Sequence, residues 1–169
     1  NKRGTFVLRQ VAAGSGADLG FESGVLEGSW AAEGEAFRGQ PLRGDAVQAR
    51  RADIASGQDG EFWIGGYELL GDAPQGTLTS AAFTVDQPWA SFLIGGGAEE
   101  DTRVEILREA DGKVLFSTSG ANHETMQRVV VDLQTFRGQH IRVRLVDASS
   151  AGWGHLNFDD FRFHAEQPS

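Results

Sequence analysis

The chain has 169 residues, carries 15 Lys and Arg against 24 Asp and Glu for a formal net charge of -9 at pH 7, and contains no cysteine. That length suits one domain with a hydrophobic core of its own, and the missing cysteines exclude a disulfide framework and a thiolate zinc site. The acidic balance argues against nucleic acid and anionic membranes as partners, and no run of about 18 apolar residues is present to insert into a bilayer.

Twenty-three glycines, four prolines and short alternating runs separated by Gly or Asp predict an all-β chain. In chain order the candidate strands are Thr5–Gln10, Gln48–Arg51, Glu61–Ile64, Gly76–Ser80, Ala90–Ile94, Arg103–Glu109, Val114–Ser119, Gln127–Asp132, His140–Asp147 and His155–Phe163. So many short strands in a single domain are accommodated by a two-sheet antiparallel β-sandwich. Residues 31–60, with many glycines and scattered charges but little periodicity, read as loop with one or two short strands. Val104 and Ile106 face inward while Arg103 and Glu105 face outward; Ala110-Asp111-Gly112 then turns the chain back through Lys113–Ser117, a hairpin. Residues 133–138 are short, polar and end in glycine, as a single helical turn would. Ile141, Val143 and Leu145 alternate with Arg142 and Arg144, giving a half-buried strand with a basic outer face.

The run Gly152-Trp153-Gly154-His155-Leu156-Asn157-Phe158-Asp159-Asp160-Phe161 carries the densest chemistry. With period two, Trp153, His155, Asn157 and Asp159 share one face, and Leu156 and Phe158 the other. Phe158 and Phe161 cannot share a face of a regular strand, so the spacing predicts a bulge at Asp159 and Asp160.

Phe21-Glu22-Ser23-Gly24 followed by Trp30, Gly76-Thr77-Leu78-Thr79-Ser80, Phe92-Leu93-Ile94-Gly95-Gly96-Gly97, Val146-Asp147 and the GWGHLNFDDF run occur in one order across most of the chain. Together they resemble carbohydrate-binding module family 66, a β-sandwich appended to secreted fructan-degrading glycoside hydrolases such as levanases. The resemblance implies a jelly-roll-like, galactose-binding-like sandwich that binds carbohydrate at oligosaccharide or polysaccharide ends, with terminal fructose of levan or inulin as ligand. It also implies an extracellular, cell-surface or periplasmic location and covalently linked neighbouring domains. The start at Asn1, without methionine or a signal-peptide pattern, agrees with a piece excised from a longer protein. Two stretches depart from the family pattern: Glu68 and the leucines after it in EFWIGGYELL, and the acidic loop Ala98-Glu99-Glu100-Asp101.

A neutral sugar needs a flat aromatic face under its C–H groups and polar side chains on adjacent hydroxyls. Trp153, His155 and Asn157 meet this on one strand face, Trp63, Tyr67 and Glu68 supply a second wall, and Arg103 with Glu105 forms another outward polar pair. Trp153 could equally be a wedge between loops, and His155 an imidazole that ties down a strand end. The triplet Gly95–Gly97 either lets backbone approach a ligand or ends a buried strand. Glu22 with Asp159 or Asp160 resembles the place where many such modules hold a structural calcium, since oxygen ligands from paired terminal strands suit that ion. No nucleophile elbow, zinc helix or cysteine nucleophile is present, so catalysis is not expected. A structural or protein-interaction sandwich that binds no sugar is the alternative.

Overall fold

The structure is a computed structural model that describes residues 18–169. Its elements in chain order are β1 (Trp30–Gly34), β2 (Leu42–Arg43), α1 (Ala46–Arg50), β3 (Phe62–Gly65), β4 (Gly76–Ser80), β5 (Phe83–Thr84), β6 (Trp89–Gly96), β7 (Thr102–Arg108), β8 (Val114–Thr118), β9 (His123–Asp132), a 3-10 turn (Gln134–Phe136), β10 (His140–Asp147) and β11 (Leu156–His164). The first sheet runs β1-β4-β10-β7-β8, with β5 also on β10, and the second runs β2-β3-β11-β6-β9. Every pairing is antiparallel. This is the expected two-sheet sandwich.

Period two decides which side chains fill the space between the sheets. Ile141, Val143 and Leu145 of β10 and Val104 and Ile106 of β7 point inward and are fully buried, meeting Ile64, Phe92, Leu156 and Phe158 from the second sheet. The hairpin β7–β8 forms with Glu105 opposite Ser117. The bulge appears where the phenylalanine spacing demanded it. The pairing of β11 with β6 shifts register between Asp159 and Arg162, Asp160 adopts φ 53°, and Phe161 thereby returns to the core beside Phe92.

A second, smaller cluster lies outside this core: Leu42, Val47, Trp63, Leu93 and Met126, joined by Ala46 and Ile54. It forms because α1 and its following loop cover the outer face of the second sheet. Asp45 caps α1 by accepting from Gln48 N, and its carboxylate also accepts from Ser56 N, folding residues 51–56 back. Ser56 O and Ala55 O then take Met126 N and Thr125 Oγ1 of β9.

One expectation changes. Residues 48–51 are not a strand: Asp45 followed by Ala46-Val47-Gln48-Ala49-Arg50 is a capped run of mostly good helix formers with one apolar anchor, Val47. The candidate strand Thr5–Gln10 lies outside the described residues.

Candidate functional site

The turn from β10 into β11 sets Trp153 between Gly152 and Gly154 at φ 60°, a left-handed backbone unusual for an aromatic residue. Gly154 N donates to Ala151 O and His155 N to Trp153 O, closing the turn. The backbone around it is crowded. A Cβ on Gly97 would stand 2.3 Å from Trp153 O, and one on Gly96 would stand 2.4 Å from His155 O. Gly96 and Gly97 therefore seat the end of β6 against the protein's own Trp153 turn, Gly95 lies against His123 O and Glu124 O of β9, and all three residues are buried.

The indole of Trp153, 37% exposed, lies on the imidazole of His155 with ring centroids 5.5 Å apart and planes 25° apart. Tyr67 meets the same imidazole at 5.1 Å. His155 itself is buried. Its Nδ1 is 2.6 Å from Asp72 Oδ1, and its Nε2 is 2.9 Å from Glu124 Oε1 but off the N–H axis, an ion-pair contact without an aligned hydrogen bond. Burial opposes charge on this imidazole, yet the Glu124 and Asp72 carboxylates outweigh it and raise its pKa above 6.5. Burial pushes Glu124 up in the same way, but His155 and then Arg50 outweigh it and hold that carboxyl below 4.5.

Arg50, at the end of α1, completes the cluster. Its Nε and Nη2 donate to the two Glu68 carboxylate oxygens at 3.0 and 2.8 Å, Nη2 is 3.5 Å from Glu124 Oε2, and Cζ stands 4.7 Å over the Tyr67 ring. The result is a small surface whose aromatic parts, Trp153 and Tyr67, adjoin the half-exposed polar ends of Arg50 and Asp72. His155, Glu124 and Glu68 form the rigid layer beneath.

Of the residues proposed from the sequence, Trp153, His155, Asn157, Tyr67 and Glu68 come together, but not as one exposed face. Parity places His155 and Asn157 opposite Leu156 and Phe158 as expected. Their side, however, lies toward Glu124 on β9 and Arg50 on α1, and both are buried, at 2% and 1% exposure. Asn157 Nδ2 donates to Glu124 O, and its Oδ1 is buried without a partner. Trp63 is fully buried in the second cluster with its indole N–H on Gly44 O, so its ring offers no face to a ligand. Arg103 and Glu105 belong to β7 of the other sheet and pair with each other, and Glu105 also pairs with Arg144. Arg50, Asp72 and Glu124 were not anticipated. Only Arg50 had a sequence signal, the Asp45 cap that makes residues 46–50 a helix.

The carboxylates proposed for calcium are divided. Asp160 is held by Arg128 at 2.7 Å and by Arg162. Asp159 is fully buried and accepts from Asp59 N and Asp160 N; burial first, then the Asp160 and Glu22 carboxylates, push it up to about 8. Glu22 accepts from Glu61 N and Phe62 N. Among the described residues no group of three or more His, Cys, Asp or Glu could hold a metal ion. Asp160, neutralised by two arginines, does not fit a calcium site, which leaves Glu22 and Asp159 as neighbouring carboxylates.

No protein-family model matches the chain. Residues of the chain are 31% identical over 139 positions to the Aspergillus rugulosus protein named "Putative glycosyl hydrolase ecdE"; the match takes in 79% of this chain and 18% of that protein, so the chain spans less than a fifth of its relative. The K2 cleaved adhesin domain of Lys-gingipain superposes with a TM-score of 0.52 at 15% identity, over 86% of this chain and 96% of that one, and so shares the sandwich fold. TmCBM61 in complex with beta-1,4-galactotriose gives a TM-score of 0.47 at 17% identity, over 85% and 92% of the two chains.

Proposed function

We propose that the chain is a non-catalytic carbohydrate-binding module that holds sugar residues at glycan ends, the terminal fructose of levan or inulin first among them. One observation carries this: an exposed indole, Trp153, is fixed in a left-handed turn on the His155 imidazole, which Tyr67 and Asp72 also contact, and the Arg50 guanidinium stands over Tyr67. The C–H face of a sugar stacks on such a ring while its hydroxyls reach the guanidinium and carboxylate. Glu68, Asp72 and Glu124 outnumber Arg50 and His155, so the surface favours neutral over anionic sugars.

The similarity to a short segment of a protein named as a glycosyl hydrolase supports a secreted module that carries an attached domain to its polysaccharide. Affinity at one small site is modest, and linkage to further domains would strengthen attachment. In the same reading Glu22 and Asp159 are the carboxylates that would hold a structural calcium.

The test is electrophoresis through gels containing levan, inulin and a wider glycan panel, with the wild type and Trp153→Ala side by side. Retardation of the wild type alone by levan or inulin supports the proposal. Retardation only by another glycan removes fructose and keeps the class. No retardation anywhere leaves a protein-interaction domain.

A further inference from the structure

We propose a second saccharide site on the outer face of the first sheet, in the concavity of about 610 Å³ lined by Glu100, Arg103, Ser117, Thr118 and Ser119. No residue of the Trp153 cluster lines it. Its volume lies within the range of small-molecule sites, roughly 300–1,000 Å³.

The site is built from the β7–β8 hairpin upward. Glu105, 2% exposed, accepts from Arg103 Nε at 2.9 Å and from Arg144 Nη2 at 2.9 Å, so one buried carboxylate anchors two guanidiniums. Arg103 Nη1 donates to Glu100 O at 3.0 Å, which fixes the plane of its guanidinium. Among the described residues Nη2 of Arg103 has no partner and remains a free, pre-positioned donor. Ser119 Oγ donates to Glu99 O and Thr118 Oγ1 to Ser119 O, which leaves both hydroxyl oxygens free to accept. Among the described residues Ser117 Oγ has no partner and can take either role.

A rigid donor, several hydroxyls and the Glu100 carboxylate are the groups that vicinal sugar hydroxyls pair with. Formal charges cancel between Arg103 with Arg144 and Glu100 with Glu105, so nothing here calls for an ionic ligand, and the overall charge of -9 repels anions. Among the described residues no aromatic ring lines the concavity, so this site binds more weakly than Trp153 and acts by adding a second attachment point on one polysaccharide.

The experiment titrates the ¹⁵N-labelled chain with levan-derived and inulin-derived oligosaccharides and follows amide and side-chain resonances. In Trp153→Ala, saturable shifts are expected at the amides of residues 117–119 and at Arg103 Nε–H. They should vanish when Arg103→Gln is added, and also with Ser117→Leu, which fills the space without removing any bond. Arg103→Gln alone should keep the shift of the Trp153 indole N–H. Shifts confined to Trp153 and Tyr67 in the wild type overturn the second site while the first stands. Silence at both sites with both sugars overturns the second site and the fructose assignment together.

Discussion

Trp153 rests on the buried imidazole of His155. Its indole is stacked at 5.5 Å on that ring, which has a carboxylate at each ring nitrogen. Both carboxylates favour the protonated imidazole, and in that form a positive charge lies under the aromatic face, a favourable arrangement when desolvated. The exposed platform therefore takes its position from a hydrogen-bonded and ion-paired layer beneath it, so platform and support should fail differently.

Trp153→Ala should abolish retardation in glycan gels and leave the thermal midpoint nearly unchanged, because the indole is 37% exposed. Trp63→Ala should do the reverse. It empties the centre of the second cluster and costs about 3–5 kcal/mol by denaturant melt, with binding retained in the folded fraction. Equal loss of binding in two folded variants would count against the assignment of Trp153 as the platform.

His155→Gln should weaken both stability and binding. It removes the imidazole from Asp72 and leaves Glu124 only the more distant Arg50 at 3.5 Å, a loss toward the lower end of about 3–5 kcal/mol because Asp72 is a quarter exposed and Glu124 keeps one cation. The pH dependence has two edges. The His155 pKa is raised, so its contribution is complete below 6.5 and disappears as pH climbs through the higher folded value. The Glu124 pKa is lowered, so its contribution is present above 4.5 and disappears as pH falls. Midpoints measured across pH should show both edges in the wild type and no His155 edge in the variant.

The alternation of β11 and the spacing of Phe158 and Phe161 were enough to place its core face and its bulge, because both follow from period two within one strand. What covers the other face was not legible. That cover is residues 42–58, held by Val47, by the Asp45 carboxylate on Ser56 N and by backbone bonds to β9. None of these has a repeat in sequence: Asp45 reaches Ser56 11 residues on, and Ala55 meets Thr125 across 70. Asp72 and Glu124 come from separate loop and strand ends, and only their meeting at His155 gives them a role.

Gly97→Ala should move the platform from behind. The added methyl would meet Trp153 O at 2.3 Å and Thr102 Oγ1 at 2.5 Å, so the turn must shift, at about 1–3 kcal/mol. The expected outcome is a displaced Trp153 indole resonance and weaker glycan retardation in a chain that still melts cooperatively. An unmoved indole resonance would show that β6 does not seat the turn.

Calcium should raise the thermal midpoint and a chelator lower it, since an ion held only by the folded chain stabilises that state. The effect should be lost in Glu22→Gln and kept in Arg128→Gln, which removes one of the two arginines on Asp160. A melt that is the same in chelator and in excess calcium removes the metal from the account.

Asp147 predicts a fall in stability from acidic to neutral pH. It is 3% exposed, accepts from Ser149 N, and is pushed up to about 7, by burial first, with the Asp101 and Asp72 carboxylates adding to it and His155 opposing. Between its ordinary value of 3.8 and about 7 the folded chain keeps a proton that the unfolded chain has lost, so unfolding free energy decreases as pH rises through that window. Asp147→Asn keeps the acceptor for Ser149 N and stays neutral in both states. The variant should match the wild type near pH 4, exceed it by a few kcal/mol near pH 8, and show a flatter profile between. Wild-type and variant profiles that run parallel would mean that the carboxyl is ionised throughout.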